Sequence, residues 1–283
     1  MKLASQPKTG FLQVALAVAW FAMCGAVHAQ ADRGGMPGDF DYYVLALSWS
    51  PTYCNGQSSG EGSSRGGDED GFGADRRSQD RRDYGGFQDR RDYGRRGSGD
   101  EQCSGSRPYA FVLHGLWPQY ERKGWPEACE NGSRPWVPGE TIDQMMDIMP
   151  SRRLVIQEYK KHGVCSGLDP RQYFDAARQA YRSVRIPEEY QDLSQPLTVS
   201  PDDVKKAFLD VNKQLTADML QVACSRNLLR EVRVCLTKEL TPRPCSRSEI
   251  NRRLCTYSTV TLPPVRGGGV GPRGGPSYGR DNL

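Results

Sequence analysis

The hydrophobic positions of this chain fall into short runs that are separated by much longer polar stretches. Tyr42–Ser48 (YYVLALS) and Pro108–Leu113 (PYAFVL) are rich in aliphatic and aromatic residues and end at turn or special residues, a pattern typical of β-strands. Val232–Leu236 has the same character. The pattern therefore predicts these three segments as strands.

Three other segments carry helix-start signals, in which a side chain that can cap the helix precedes a run of helix-forming residues. The predicted helices are Arg152–His162, Arg171–Tyr181 and Asp202–Leu215, with Ser151, Asp169-Pro170 and Ser200-Pro201 before them and Gly163 as the stop of the first. Strands and helices are mixed without a regular β-α-β alternation. This order predicts an α+β fold rather than a doubly wound parallel sheet.

The N-terminal segment has the order of a secretory signal peptide. Lys2 and Lys8 come first, an apolar run from Phe11 to Cys24 follows, and small residues end at Ala29. The run is short for a membrane anchor, which is the alternative interpretation. We therefore expect residues 1–29 to be removed and the mature protein to be secreted or periplasmic, without contact with the membrane.

From Asn55 to Gln102 the sequence consists mainly of Gly, Ser, Asp and Arg and includes a tandem repeat, Gln79–Gly85 followed by Gln88–Gly94. Such a segment cannot bury enough apolar surface to offset its chain entropy, so we expect disorder. The insertion is either a passive spacer or an RNA-contacting segment. Residues 30–264 are thus predicted to form one domain interrupted by residues 55–102, with a flexible Gly-rich tail at 265–283.

Eight cysteines remain once the leader is removed, and an even set in an exported chain indicates disulfides. Many pairings are compatible with the sequence. Cys54 and Cys103 stand at the two ends of the insertion, and a bridge between them would close its base. Only His162 and Cys165 have the close spacing of two metal ligands, and no second pair completes a tetrahedral site. The sequence therefore predicts neither a metal nor another cofactor.

The formal net charge of +4 decreases further when Lys2 and Lys8 are removed. This balance excludes a histone-like polycation. If the protein handles RNA, the contacts must be local rather than the effect of a whole-surface field.

The mature chain keeps only two histidines, His114 and His162. On a helix, Glu158, Lys161 and His162 share one face, which would bring together a carboxylate, an ammonium and an imidazole. Cleavage of RNA through its 2′-hydroxyl needs a base, an acid and positive charge near the phosphorane, and these side chains could supply them. The structural alternative is a solvated helix end, which explains the charges but not the histidine.

Trp117 follows His114 closely and has two interpretations. An exposed indole at this position could stack on an RNA base. Alternatively, the ring packs in the core beneath a loop, which is common for tryptophan.

Three segments, taken in order, resemble the RNase T2 family. Phe111–Pro118 (FVLHGLWP) matches the pattern F-x-x-H-G-L-W-P, and Glu158–Cys165 (EYKKHGVC) resembles E-W-x-K-H-G-T-C. Asp41–Cys54 is similar to the family's opening strand. The resemblance implies an α+β fold with a central antiparallel sheet packed with helices and stabilised by disulfides. It also implies an exported, metal-independent endoribonuclease.

By this resemblance, the enzyme would cut single-stranded RNA to a 2′,3′-cyclic phosphate and then hydrolyse it to a 3′-phosphate. His162 would be the general base and His114 the general acid of the first step, while Glu158 and Lys161 would stabilise the pentacovalent phosphate. Trp117 would help to form a base site. Gln157 occupies a substrate-binding position where many members carry histidine, so substrate binding is expected to be weaker.

The resemblance also implies further disulfides, namely Cys129 with Cys165, Cys224 with Cys255 and Cys235 with Cys245. The expected partner is single-stranded RNA, DNA is not expected to be cleaved, and a monomer is expected. Three alternatives stay open: an exported RNA-binding protein that does not cut, a metal-dependent nuclease, and a signalling or toxin role. Retention of all four catalytic side chains argues against the first, and the scarcity of carboxylate and histidine clusters against the second.

Overall fold

The computed structural model describes residues 31–58, 101–105, 107–122, 124–130, 132, 135–252 and 254–265. Three segments lie outside the described residues. They are the predicted signal peptide, residues 59–100 with the tandem repeat, and residues 266–283.

The described residues form eight strands and seven α-helices. The strands are β1 (Ala31–Arg33), β2 (Tyr42–Trp49), β3 (Phe111–Gln119), β4 (Trp125–Glu127), β5 (Leu197–Val199), β6 (Leu220–Ser225), β7 (Leu228–Leu236) and β8 (Val260–Leu262). The helices are α1 (Ser50–Ser58), α2 (Glu101–Ser104), α3 (Gly139–Met145), α4 (Arg152–Lys161), α5 (Pro170–Ser183), α6 (Pro201–Val211) and α7 (Arg247–Asn251). Short 3-10 turns lie at Gly163–Ser166, Glu188–Tyr190 and Ala217–Met219.

Six of the strands form one sheet in the order β3-β2-β7-β8-β5, and β6 also pairs with β7. Its pairings are antiparallel except for a short parallel contact between β7 and β8. β1 and β4 form a separate parallel pair. The predicted α+β fold with a central sheet packed with helices is confirmed, and the β7–β8 contact is the one parallel pairing among the described strands of this sheet.

The two faces of the central sheet carry two separate clusters of buried side chains. One face carries Leu45 and Leu47 of β2 into the main core, where side chains of α3, α4, α5 and α6 pack against them. The opposite face holds a smaller cluster that includes Tyr42, Val44 and Trp117. This division follows from the alternation of side chains along a strand.

Strand β3 is longer than its sequence pattern predicts. The prediction was a strand over Pro108–Leu113 that ends at His114, but the strand begins at Phe111 and runs to Gln119 because Gly115–Gln119 also pair with β2. Leu47 lies opposite Leu113 and Ala46 opposite Gly115, so His114 is an extra residue in the ladder. It occupies a β-bulge rather than the end of a strand.

The helix starts agree closely with their capping signals. Ser151 accepts a hydrogen bond from the Leu154 amide at the start of α4, and α5 and α6 begin with capping boxes. Helix α6 was predicted to reach Leu215 but ends at Val211. The Asn212 side chain donates to the carbonyl groups of Phe208 and Arg185, which holds the chain in a turn at this point.

The ends of the insertion are ordered, which corrects the expectation of disorder from residue 55 through residue 102. Helix α1 extends to Ser58, and α2 begins at Glu101. The Cys54–Cys103 disulfide joins the two helices, and Gln102 donates a hydrogen bond to Ser50. These long-range connections supply the order that the local composition does not.

All four predicted disulfides are present in the structure. They are Cys54–Cys103, Cys129–Cys165, Cys224–Cys255 and Cys235–Cys245. Among the described helices, none has both the length and the apolar character needed to cross a membrane.

Candidate active site

The bulge in β3 determines which way the side chains of its motif point. Phe111, Leu113 and Leu116 all belong to the main core, so the regular alternation slips by one residue between Leu113 and Leu116. The slip places Trp117 in the cluster on the opposite face of the sheet. A bulge thus brings His114 and Trp117 together, their ring centroids being 5.0 Å apart.

The C-terminal turn of α4 supplies the other half of the site. Val155 and Tyr159 anchor this helix in the core, and Glu158 is only 5 % exposed. His162 is the C-cap residue, and its amide donates to the Glu158 carbonyl at 2.9 Å. The imidazole of His162 is also buried and lies 5.4 Å from the Trp117 ring.

One carboxylate and one indole connect the two histidines. The Trp117 Nε1–H donates to Glu158 Oε2 at 2.7 Å, and Glu158 Oε1 lies 3.5 Å from His114 Nε2. Because both imidazoles contact the same indole, the structure brings together His114, Trp117, Glu158 and His162. The two histidines of the motifs therefore lie on the same indole, and their acid and base roles stay a prediction.

Burial sets the electrostatics of Glu158. Removal from water raises the pKa of this carboxyl above its ordinary value. Opposing contributions come from the charge of His114, the Trp117 hydrogen bond and the charge of Lys161, while the negative charge of Glu231 adds to the rise. The protonated form of Glu158 is consequently favoured relative to a carboxyl in water.

The two other predicted residues on α4 are Lys161 and Gln157, and Lys161 lies beside this group. Lys161 is partly exposed, and its Nζ is 3.7 Å from Glu127 Oε1 of β4. Its charge acts on Glu158. The Gln157 side chain is exposed on the helix surface. The helical spacing predicted that Lys161 lies near Glu158. Lys161 is also close to Glu127, which the sequence analysis did not include.

Trp117 is not the exposed indole that one interpretation required. The residue is 4 % exposed, its N–H is engaged by Glu158, and the Arg233 guanidinium carbon lies 4.9 Å from its ring centroid. This environment favours the packing interpretation, in which the indole positions the groups around it. Contact between Trp117 and an RNA base stays a prediction.

A group of charged residues behind His114 was missed by the sequence analysis. Glu231 Oε1 lies 2.7 Å from His114 Nδ1, Glu231 Oε2 accepts from Arg233 Nε at 3.0 Å, and Arg233 Nη1 donates to Glu249 at 3.2 Å. One signal was available. Three charged residues, Arg230, Glu231 and Arg233, interrupt the apolar strand β7, and Glu231 and Arg233 lie two positions apart, which places both of their charges on one face.

Two imidazoles and a buried carboxyl, all able to exchange protons, lie close together at this site. Within the described part of the chain, no group of three or more His, Cys, Asp or Glu residues is arranged to hold a metal ion. The side chains at this position can act as acid, base and hydrogen-bond donor.

A family profile and several related sequences match this chain. The sequence profile of the ribonuclease T2 family matches residues 40–245. A ribonuclease of Aeromonas hydrophila is 28 % identical over 241 residues, which cover 83 % of this chain and 86 % of that protein. A probable ribonuclease of Haemophilus influenzae is 30 % identical over 153 residues, 53 % of this chain and 45 % of that protein.

A solved structure of similar fold is the RNase-related protein from Calystegia sepium. It is 19 % identical, with a TM-score of 0.52, and the match covers 80 % of this chain and 98 % of that protein. At this identity, the likeness concerns the fold alone. The family match includes His114, Glu158 and His162 and most of the described residues, and the chain therefore belongs to the ribonuclease T2 family.

Proposed function

We propose that this chain is a metal-independent endoribonuclease that cleaves single-stranded RNA through the RNA's own 2′-hydroxyl, with His162 as general base and His114 as general acid. Family membership supports ribonuclease activity. The observation that carries the mechanism is the packing of both imidazoles against one indole beside a buried carboxyl. Histidine is the side chain whose ordinary pKa lies near neutrality, so two of them can give and take protons in one cycle.

In the first step, His162 removes the proton of the 2′-hydroxyl. The 2′-oxygen then forms a bond to phosphorus, and the bond from phosphorus to the 5′-oxygen breaks. His114 donates its proton to the departing 5′-oxygen. The products are a 2′,3′-cyclic phosphate and a free 5′-hydroxyl.

In the second step, the histidines exchange roles. His114 accepts a proton from water, the water oxygen bonds to phosphorus, and the bond from phosphorus to the 2′-oxygen breaks. His162 returns its proton to the 2′-oxygen, which leaves a 3′-phosphate. Both histidines end the cycle in their starting protonation states.

Glu158 and Lys161 are suited to stabilise the phosphorane. Burial raises the pKa of Glu158, and only the protonated carboxyl can donate a hydrogen bond to a phosphorane oxygen. Lys161 contributes a positive charge beside it. Charge stabilisation of this kind is usually the largest single contribution to catalysis.

The test is cleavage of single-stranded RNA in EDTA by the parent protein and by His162→Ala, with analysis of the product ends. We expect 2′,3′-cyclic ends from the parent and a decrease in kcat of about 100- to 10,000-fold in the variant. Lys160→Ala is the matched control, since this residue is exposed on the same helix. Equal cleavage by parent and His162→Ala would contradict the mechanism.

Two further outcomes separate the alternatives. A folded parent that binds RNA without cutting it would support the RNA-binding interpretation, and loss of cleavage in EDTA would support a metal-dependent nuclease. The reaction needs the 2′-hydroxyl, so a deoxy substrate should not be cut. Cleavage of DNA at a comparable rate would exclude the cyclic-phosphate route.

We also propose that the protein is exported and acts as a monomer. Export is supported by the signal-like order of residues 1–29. It is also supported by the pairing of all eight remaining cysteines in four disulfides. N-terminal sequencing of the exported protein should begin at Gln30, and size-exclusion chromatography should give a single-chain mass. An uncleaved N-terminus or a dimer mass would contradict the respective proposal.

A further inference from the structure

A continuous line of alternating charges leads away from His114 into the protein. His114 Nδ1 lies 2.7 Å from Glu231 Oε1, whose other oxygen accepts from Arg233 Nε at 3.0 Å. Arg233 Nη1 is 3.2 Å from Glu249 Oε1, and Glu249 Oε2 is 3.1 Å from Arg252 Nη1. The line connects β3, β7 and α7.

We propose that Glu231 is a positioning residue of the acid–base chemistry: it accepts a hydrogen bond from His114 Nδ1–H, directs Nε2 toward the RNA and stabilises the imidazolium form of His114, while Arg233 keeps Glu231 in place as an anion. This inference rests on the acid role of His114 in the proposed function. Glu231 acts through His114 and does not itself contact RNA.

The first argument is burial. Glu231 and Arg233 are both 0 % exposed, and buried charges are retained in a fold only when they are paired. An apolar pair of similar volume would hold α7 on the sheet at least as well, because the desolvation of buried ions opposes their attraction. Packing alone therefore does not account for charges that end at the ring of His114.

The second argument is the choice of ring nitrogen. Glu231 faces Nδ1, whereas Nε2 lies 3.5 Å from Glu158 on the side of His162 and Trp117. A carboxylate at Nδ1 makes that nitrogen the permanent donor, so Nε2 is the nitrogen that gives up and regains a proton. This is the geometry that an acid in the first step and a base in the second step require.

The third argument is the charge of Glu231 itself. Burial alone would raise the pKa of Glu231, but the charges of Arg233 and Arg230 and the hydrogen bond with His114 outweigh it and hold the pKa well below its ordinary value. The ionised form of Glu231 is therefore favoured relative to a carboxyl in water. Ser48 Oγ, on the neighbouring strand, adds a contact at 3.5 Å.

The charged groups around His114 decide the direction of the pH effect. Glu231 faces it from β7 and Glu158 from α4, and His162 lies beyond the shared indole. Lys161 acts on Glu158. Removing the negative charge of Glu231 removes an attraction that stabilises the protonated imidazolium of His114. The other groups around His114 are unchanged in this variant. The alkaline limb of the rate profile should then move to lower pH.

The decisive comparison is between Glu231→Gln and Glu249→Gln, which each remove one charge from the same buried line. We expect Glu231→Gln to lower kcat by about 100-fold, as in other sites where a carboxylate orients a histidine, to leave KM unchanged, and to shift the alkaline limb. Glu249→Gln should destabilise the fold without shifting that limb. Equal effects of the two variants on kcat and on the pH profile would mean that the line is only structural.

A second measurement is made on the parent protein and so does not depend on whether Glu231→Gln folds. The sequence has three histidines, so the ring ¹⁵N signals of the parent protein can be resolved, and the signal absent from His114→Ala identifies that residue. At a pH where the ring is neutral, we expect protonated Nδ1 and unprotonated Nε2. The opposite tautomer would overturn the inference.

The outcomes also distinguish this inference from the proposed function. If the parent protein does not cleave RNA, the proposed function fails. If the parent cleaves RNA through His114 and His162 while Glu231→Gln keeps its kcat and its pH profile, only the role of Glu231 is wrong.

Discussion

At the scale of single residues, the site depends on one position that has no side chain. Gly115 lies between His114 and Leu116 in β3, and a Cβ atom there would collide with Glu158 Oε2 and Trp117 Nε1. These two atoms are the partners of the hydrogen bond that joins β3 to α4. The glycine is needed for space, since its backbone φ is not in the left-handed region.

Gly115→Ala should therefore separate Glu158 from Trp117 and disturb both histidines. We expect at least about a 100-fold decrease in kcat/KM, because displacements of about 1 Å at an active site cost that much. Gly139→Ala is the control, since a Cβ at Gly139 meets no atom within 4 Å. Steady-state RNA cleavage by the two variants checks this, and a fully active Gly115→Ala would contradict it.

Trp117→Phe tests whether the indole positions the site or contacts an RNA base. Phenylalanine keeps a ring but loses the N–H that Glu158 accepts at 2.7 Å. A hydrogen bond to an uncharged carboxyl contributes about 0.5 to 1.5 kcal/mol, so kcat should decrease by about 2- to 10-fold. The measurement is steady-state kinetics. A change confined to KM would instead favour contact with the base.

At the scale of secondary structure, the site is made where one strand and one helix deviate from a regular course. The bulge in β3 moves His114 out of the ladder, and α4 ends with His162 as its C-cap. The ends of helices and the bulges of strands leave backbone groups free of regular pairing, which allows side chains there to take other directions. Both deviations converge on Trp117.

Helix α4 should be sensitive to its N-cap. Ser151→Ala removes the acceptor of the Leu154 amide and should lower the free energy of unfolding by about 1 kcal/mol. We expect kcat at 25 °C to stay near that of the parent, because Ser151 lies at the opposite end of the helix from His162. Urea unfolding measures the change, with the exposed Arg153→Ala as control. Equal stability of the two variants would contradict the assigned role of the cap.

At the scale of the whole molecule, disulfides connect segments that are distant along the chain. Cys54–Cys103 closes a loop with a sequence separation of 49 at the base of the insertion, and Cys129–Cys165 links the chain after β4 to the turn after α4. A long closed loop restricts the unfolded chain more than a short one. The disulfides thus stabilise the folded protein by reducing the number of unfolded conformations.

Replacement of both Cys54 and Cys103 by Ala should lower the free energy of unfolding by about 4 kcal/mol, the chain-entropy value for a loop of this length. Chemical unfolding at 25 °C measures it, and thiol titration confirms that the other cysteines stay oxidised. The folded variant should still cleave RNA, because neither cysteine contacts His114 or His162. A loss below about 1 kcal/mol would show that the loop is already restricted in the unfolded chain.

Local sequence patterns were sufficient to predict several parts of this protein. The starts of α4, α5 and α6 could be predicted because a cap and its helix are only a few residues apart. The motifs around His114 and His162 predicted residues that the fold brings together at the candidate site, and the flanking positions of Cys54 and Cys103 predicted their bridge. Each of these depends on spacing along the chain, which the sequence contains directly.

Other features were decided only by tertiary structure. The continuation of β3 beyond His114 depends on pairing with β2, and the burial of Trp117 depends on α4 and β7 together. Glu231 meets His114 across 117 positions of sequence. The charges of β7 indicate that one face of this strand is polar, but no local pattern identifies His114 as the partner, because the energy of a buried charge depends on which distant groups the fold places around it. The sequence thus determined which groups can carry out the chemistry, and the packing of the sheet against α4 and α7 determined how they are oriented and charged.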